Sequence, residues 1–236
     1  MTGLEEFIAA VGEAQVGKPR RFIETYLKVI PAPGISSASL VAAKLVPTQE
    51  VMYAATFGKI RRYEDGIHAV IAKSREVMAT SLCTQVAFTM AAARGGFRCL
   101  YMIDNEEKFK TVIQPMMRIF YENLPTEPFD VKGQVKIAHW DSELIEIEHK
   151  ALGSQANSII AFASSKSVNA PRALRPKLFI FSEAAYADRA GEPALYEAVD
   201  NALGTTGWVI LESTPNGMVV VDRDRVVDPP LRRRLT

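Results

Sequence analysis

Ile67-His68-Ala69-Val70-Ile71-Ala72-Lys73-Ser74-Arg75-Glu76-Val77-Met78-Ala79-Thr80-Ser81 decides how the rest of the chain is read. An apolar run of strand length meets a short turn rich in cations and hydroxyls. An Ala-rich segment follows and reads as a helix beginning near Thr80. Strand, turn and helix in that order bind phosphate: the backbone N–H groups at a helix start face an anion, and the helix dipole favours it. The pattern is irregular as a phosphate loop. G-x-x-x-x-G-K-[ST] has Gly and Lys before its hydroxyl residue, and Met78 and Ala79 occupy those places here.

Downstream, residues 80–93 read as an Ala-rich helix packed on a sheet, stopped by Gly95 and Gly96. Arg98 to Ile103 is an apolar run of buried-strand type. Asp104-Asn105-Glu106-Glu107 then caps a helix that carries Phe109, Val112, Ile113, Met116, Met117 and Phe120 at i, i+3, i+4 spacing, a core stripe. Alternation in residues 143–163, turning at Gly153-Ser154-Gln155, predicts a hairpin with Glu146 and Glu148 on its wet face. Residues 164–177 read as a loop. Leu178-Phe179-Ile180-Phe181 is an uninterrupted apolar strand that delivers Ser182-Glu183 at the C-terminal rim, where open α/β sheets bind ligands. Gly207 to Leu211 repeats the pattern and ends in Glu212-Ser213-Thr214-Pro215-Asn216-Gly217. Apolar strands alternating with helices predict an α/β fold with a mainly parallel sheet.

Upstream, residues 1–28 place Leu4, Phe7, Ile8, Val11, Phe22, Tyr26 and Leu27 at helical spacing, and Pro31, Pro33 and Gly34 make an irregular connection. A second helical stretch is expected from Ala38 towards Thr56, interrupted by Pro47. Gln49 stands just inside the helix start that Pro47 marks; it is either an adenine contact or an exposed helix residue. Lys59, Arg61 and Arg62 read as a solvated cluster or a DNA-backbone contact.

The totals bound the function. At 236 residues, 48% hydrophobic and 23% charged, the chain fits one globular domain; a formal net charge of +1 means that any nucleic-acid contact is local. Cys83 and Cys99 lack metal or redox spacing and read as buried thiols. His68, His139 and His149 read as structural or surface residues. The N-terminus does not read as a signal peptide, and no run approaches the roughly 18 apolar residues of a membrane span, so a cytoplasmic protein without membrane contact is expected.

Four of these motifs, in this order, resemble the ATPase domain of the bacteriophage terminase large subunit, over about residues 20–218. Leu45-Val46-Pro47-Thr48-Gln49 resembles its adenine-sensing glutamine motif. Lys73 to Thr80 resembles its divergent phosphate loop, with the lysine at the front. Phe179 to Ala185 resembles the strand bearing the catalytic glutamate, and Ser213-Thr214-Pro215-Asn216-Gly217 resembles the coupling motif.

The resemblance implies a P-loop NTPase-like (ASCE) three-layer fold in a single ATPase domain. Residues 1–58 would form an N-terminal helical part, 59–218 the core and 219–236 a divergent tail. It implies ATP and Mg²⁺, with nucleotide contacts from Gln49, Lys73, Ser74, Arg75, Met78, Ala79, Thr80 and Ser81. Thr80 and Ser182 would be the metal-side residues, although Thr80 also reads as a plain helix cap. Glu183 would be the general base, Arg172 (or Arg175) an arginine finger reaching a neighbouring subunit, and Ser213, Thr214 and Asn216 the coupling residues. Ser182 stands where the family usually has Asp, and Glu76 where it usually has Gln. The implied function is an ATP-hydrolysing motor that translocates double-stranded DNA into a procapsid. The implied partners are a portal protein, a small terminase subunit and a ring of five copies, in the host cytoplasm and transiently at the procapsid. No nuclease domain is expected after Gly217. The alternative is a nucleotide-binding but catalytically silent packaging component.

Overall fold

The computed structural model describes residues 2–30, 39–73, 78–103, 106–150, 156–165, 167, 170–184, 192–214, 221–222 and 225–226. Ser74, Arg75, Glu76 and Asn216 lie outside them, as do the expected connection at Pro31–Gly34, the turn at 153–155, the capping pair Asp104 and Asn105, and most of the tail.

Two helices open the chain, α1 (Gly3–Gln15) and α2 (Arg20–Tyr26). Thr2 and Glu5 form a reciprocal cap at the start of α1, each side chain serving the other's backbone N–H. Phe7, Val11, Phe22 and Tyr26 are buried, whereas Leu4 and Ile8 of the expected stripe are exposed on its outer flank. Of the stretch from Ala38 to Val46, expected to be helical, the described residues 39–46 are not: β1 (Lys28–Val29) pairs antiparallel with β2 (Val41–Ala42), and helix α3 (Pro47–Ala55) begins only at the proline. The residue before a proline is driven out of the α region, and Val46 is accordingly extended, with ψ 161°.

The core elements follow as β3 (Ile67–Ala72), α4 (Ala79–Ala93), β4 (Arg98–Ile103) and α5 (Gln114–Glu122). A π-helical turn over Phe109–Ile113 precedes α5 and sits just before Pro115, which cannot complete an ordinary turn. Phe109, Ile113, Met117 and Phe120 are buried; Val112 is exposed, because the wider turn rotates it off the expected stripe. Next come α6 (Val131–Gln134), β5 (Val135–Trp140), β6 (Leu144–His149) and β7 (Ser158–Ser164), the last two being the expected antiparallel hairpin. Within the segment expected to be a loop lies a short helix, α7 (Ala170–Leu174), with Pro171 where a first helical turn tolerates it. β8 (Leu178–Ser182), α8 (Glu192–Leu203) and β9 (Trp208–Ser213) complete the core, and β10 (Val221–Asp222) pairs with β11 (Arg225–Val226).

Among the described residues seven strands form the central sheet in the order β3-β9-β8-β4-β7-β6-β5; the first five run parallel, β6 runs against them, and β5 runs against β6. The strands β4, β8 and β9 are covered on both faces, and their side chains alternate between two cores. Cys99, Tyr101, Leu178, Ile180, Trp208 and Ile210 face the side where α4 and the N-terminal helices pack. Leu100, Met102, Phe179, Phe181, Val209 and Leu211 face α7 and α8. The α/β, mainly parallel, three-layer architecture read from the sequence is therefore the architecture of the chain. β3 is the edge strand, with His68, Val70 and Ala72 on an exposed face. No helix among the described residues is long and apolar enough to cross a membrane.

The strand period of two fixes what meets at the C-terminal rim. Continuing the face of Ile67, Ala69 and Ile71, Lys73 points to the α4 side. Ser182 follows Leu178 and Ile180 onto that face, and Glu212 follows Trp208 and Ile210. Ser182 and Glu212 are register partners across β8 and β9.

Candidate functional site

The rim gathers a compact polar cluster around the start of α4. The Lys73 ammonium lies 2.8 Å from Glu212 Oε2 and 3.7 Å from Glu183 Oε1, and it donates to Thr80 Oγ1 at 3.2 Å. Thr80 Oγ1 in turn donates to Glu212 Oε1 at 2.7 Å. The Ser182 hydroxyl donates to the same oxygen of Glu212. Thr214 Oγ1 reaches Glu183 Oε2 at 3.4 Å. Thr80 is the second residue of α4, and its hydroxyl bonds across to the strands, so it is not the plain helix cap. The capping position belongs to Met78, which has no capping side-chain bond.

Two residues that frame the cluster have left-handed backbones, Met78 (φ 57°) and Glu183 (φ 59°). Non-glycine residues adopt this region rarely and at a cost, and such residues concentrate at functional sites. Glu183 is partly exposed, whereas Glu212 is sealed. Glu212 had no role assigned from sequence, because a polar residue at the end of an apolar run read as the beginning of a loop. Strand parity carries the missing signal: a carboxylate in phase with Trp208 and Ile210 points into the core face, where only a charged or hydroxyl partner makes it tolerable.

Beside this cluster lies an apolar hollow of about 420 Å³, lined by Val29, Ile30, Val41, Ala42, Val46, Gln49, Met78, Ser81 and Gln85, with Lys44 at its margin. Gln49 is buried, which excludes the exposed-helix reading. Its carbonyl oxygen accepts from Val46 N–H at 3.2 Å, and its amide donates to the Met78 carbonyl at 3.1 Å. Gln85, also unassigned from sequence, donates to Ser81 Oγ at 3.3 Å, while its buried Oε1 accepts no hydrogen bond from the described residues.

The remaining expected residues are placed as follows. Ala79 is buried as the first residue of α4, and Ser213 is buried, its hydroxyl donating to the Thr214 carbonyl at 3.3 Å. Arg172 lies on α7, 3.7 Å from Glu197 of α8, and lines a separate hollow with Arg175 and Asn201; the fold does not bring it to the Lys73 cluster of its own chain. His149 is buried against Ser158, with its pKa lowered by desolvation, and His139 pairs with Asp141 at the surface, both as structural residues. Cys83 and Cys99 are buried free thiols, which burial pushes up in pKa.

Among the described residues no group of three or more His, Cys, Asp or Glu side chains could hold a metal unaided. The donor set at the rim is nonetheless one that Mg²⁺ accepts, because this ion keeps waters and uses one or two carboxylates with substrate phosphates. A hydroxyl and two carboxylates already surround a positive charge there.

No family model and no curated protein matches the chain. Solved structures do. The HK97 bacteriophage large terminase superimposes with a TM-score of 0.56 at 15% identity, over 90% of this chain and 38% of that one. A mutant of the Thermus phage P74-26 large terminase ATPase domain superimposes with a TM-score of 0.51 at 15% identity, over 75% of this chain and 67% of that one. The chain has the fold of the large-terminase ATPase domain. At this level of identity the likeness extends to the terminase ATPase fold alone, and the chain spans well under half the length of the HK97 protein.

Proposed function

We propose that this chain is the ATP-hydrolysing motor domain of a phage DNA-packaging terminase, driving double-stranded DNA into a procapsid. The observation that carries the reading is the convergence of Lys73, Thr80 and Glu183 on one rim of the sheet, beside an apolar hollow of base-binding size. In this reading the hollow takes adenine. Gln85 lines it, and Gln49 holds the wall by fixing Met78. The phosphates lie at the start of α4, where backbone N–H groups and the helix dipole favour them. Lys73 supplies positive charge, with Arg75 and Ser74 added from the loop.

Phosphoryl transfer asks the protein for positioning and charge rather than covalent chemistry. Glu183 takes a proton from the water that attacks the terminal phosphorus, while the bond to the bridging oxygen breaks and ADP leaves. Mg²⁺, held on the Thr80 and Ser182 side, would neutralise charge on the phosphates. Thr214, bonded to Glu183, together with Ser213 and Asn216, reports the loss of the terminal phosphate to the DNA-gripping surface. Arg172 acts in trans, in a ring of five copies on a portal protein fed by a small terminase subunit, in the host cytoplasm.

Phosphate release by the purified chain with ATP, Mg²⁺ and duplex DNA tests the reading, with Glu183→Ala as the inactive control. The silent-component reading draws on Ser182, a hydroxyl where strand β8 could offer a carboxylate. It prevails if wild type and Glu183→Ala both bind ATP and neither releases phosphate.

A further inference from the structure

We infer that Glu212, from β9, is the carboxylate that holds the nucleotide's divalent cation, taking the place that Ser182 of β8 leaves without a charge. The inference rests on the nucleotide-binding reading above. A P-loop site needs a carboxylate beside the hydroxyl at the start of its helix, so that the two together hold the Mg²⁺ shell. The residue that ends β8 on that face is Ser182, which cannot supply a negative charge. Its register partner one strand away is Glu212. Glu212 Oε1 accepts from both Thr80 Oγ1 and Ser182 Oγ, so the carboxylate is fastened beside the helix-start hydroxyl by the serine itself.

The second oxygen points to a cation position. Glu212 Oε2 is fully buried and faces the Lys73 ammonium at 2.8 Å. That ammonium is also bonded to Thr80 Oγ1 and lies near Glu183. A positive charge ringed by one hydroxyl and two carboxylates marks where a small, hard cation is stabilised. Lys73 holds that position here, and its flexible stem lets it pass to the phosphates when a divalent ion arrives. A purely structural ion pair would not require the two hydroxyls to converge on one oxygen of Glu212 and leave the other to a cation.

The test measures ADP binding to the full chain by calorimetry, in EDTA and across a Mg²⁺ titration, for wild type, Glu212→Gln and the exchange variant Ser182→Asp/Glu212→Ser. Far-UV circular dichroism checks that each variant is folded. Wild type is expected to bind ADP more tightly with Mg²⁺. Glu212→Gln is expected to need about tenfold or more Mg²⁺ than wild type to reach its bound state, the range for losing one partner of a metal shell. The exchange variant, which returns the charge to β8, is expected to recover most of the Mg²⁺ response. An unchanged Mg²⁺ response in Glu212→Gln overturns the inference while leaving nucleotide binding intact. If Glu212→Gln does not fold, the exchange variant decides: a Mg²⁺ response there supports the inference, and its loss there overturns it. A wild-type chain that binds no ADP overturns the nucleotide reading and this inference with it.

Discussion

The start of α4 separates two regions built on different physics. On one side, Lys73, Thr80, Ser182, Glu183 and Glu212 form a cluster of charges and hydroxyls, with Ser182 and Glu212 set by strand register and Thr80 by the start of α4. On the other, the β1–β2 ribbon and α3 enclose an apolar hollow whose walls are Val29, Val41, Ala42 and Val46. Charges in a nearly dry setting interact strongly and tolerate no vacancy. An apolar wall recognises shape, and each contact is worth little alone. The expected effects of substitution therefore fall steeply from the first region to the second.

The largest is at Glu183. Replacing it with Gln removes the general base, and phosphate release should fall by about 10²- to 10⁴-fold, while ADP affinity measured by calorimetry stays within a few-fold. Equal losses in both would erase the distinction between chemistry and binding in this cluster. Next is Lys73→Met, which leaves the buried Glu212 carboxylate without its cation. The urea midpoint should drop by the equivalent of about 3 kcal/mol, the scale for breaking a buried ion pair. Adding Glu212→Gln to the same chain should recover much of that loss.

On the apolar side the effects shrink. Gln85→Leu takes a carboxamide out of the wall of the hollow, so ATP binding should weaken by roughly fivefold, the worth of one hydrogen bond, with GTP binding unchanged. A competition assay with the two nucleotides measures the ratio. A loss as large as that of Lys73→Met would overturn the contrast between the regions.

The smallest effect belongs to the opposite rim and serves as a control. Lys177 lies over the Tyr63 and Trp208 rings and donates to the Thr206 carbonyl, and burial lowers its pKa from 10.5 to about 8. Between pH 8 and 10 the unfolded chain still binds a proton that the folded chain has released, so stability rises with pH in that window. Above pH 10 the buried Tyr26 and Tyr53, pushed up to about 12, act in the other direction. Lys177→Met should flatten the rise seen in denaturation midpoints and leave nucleotide affinity unchanged.

Much of this arrangement is legible in the sequence, for identifiable reasons. Apolar runs ending in polar residues locate β8 and β9, because a strand buried on both faces leaves an uninterrupted signature; β3 shows such a run although one of its faces is exposed. The helix at Ala79 follows from its alanines. Pattern reading fails where a local rule overrides periodicity. Val46 precedes a proline, so helical spacing upstream of Pro47 is misleading, and the loop reading of residues 164–177 misses α7, which holds Pro171 in its first turn. β5 escapes because its alternation is interrupted by a bulge between Ile137 and His139. Glu212 escapes for another reason. Composition marks it as a loop residue, and only its phase relative to Trp208 and Ile210, joined to a register no sequence displays, turns it towards Thr80.

Gln49 has a mechanical consequence. One carboxamide clasps both Val46, where the chain enters α3, and the carbonyl of Met78, where it enters α4. A guest that wedges α3 outward by even a fraction of an ångström must tug on the hinge-like residue at the mouth of α4. Occupancy of the greasy chamber is thus relayed to the charged one through a single side chain, a rigid strut rather than a diffuse pathway.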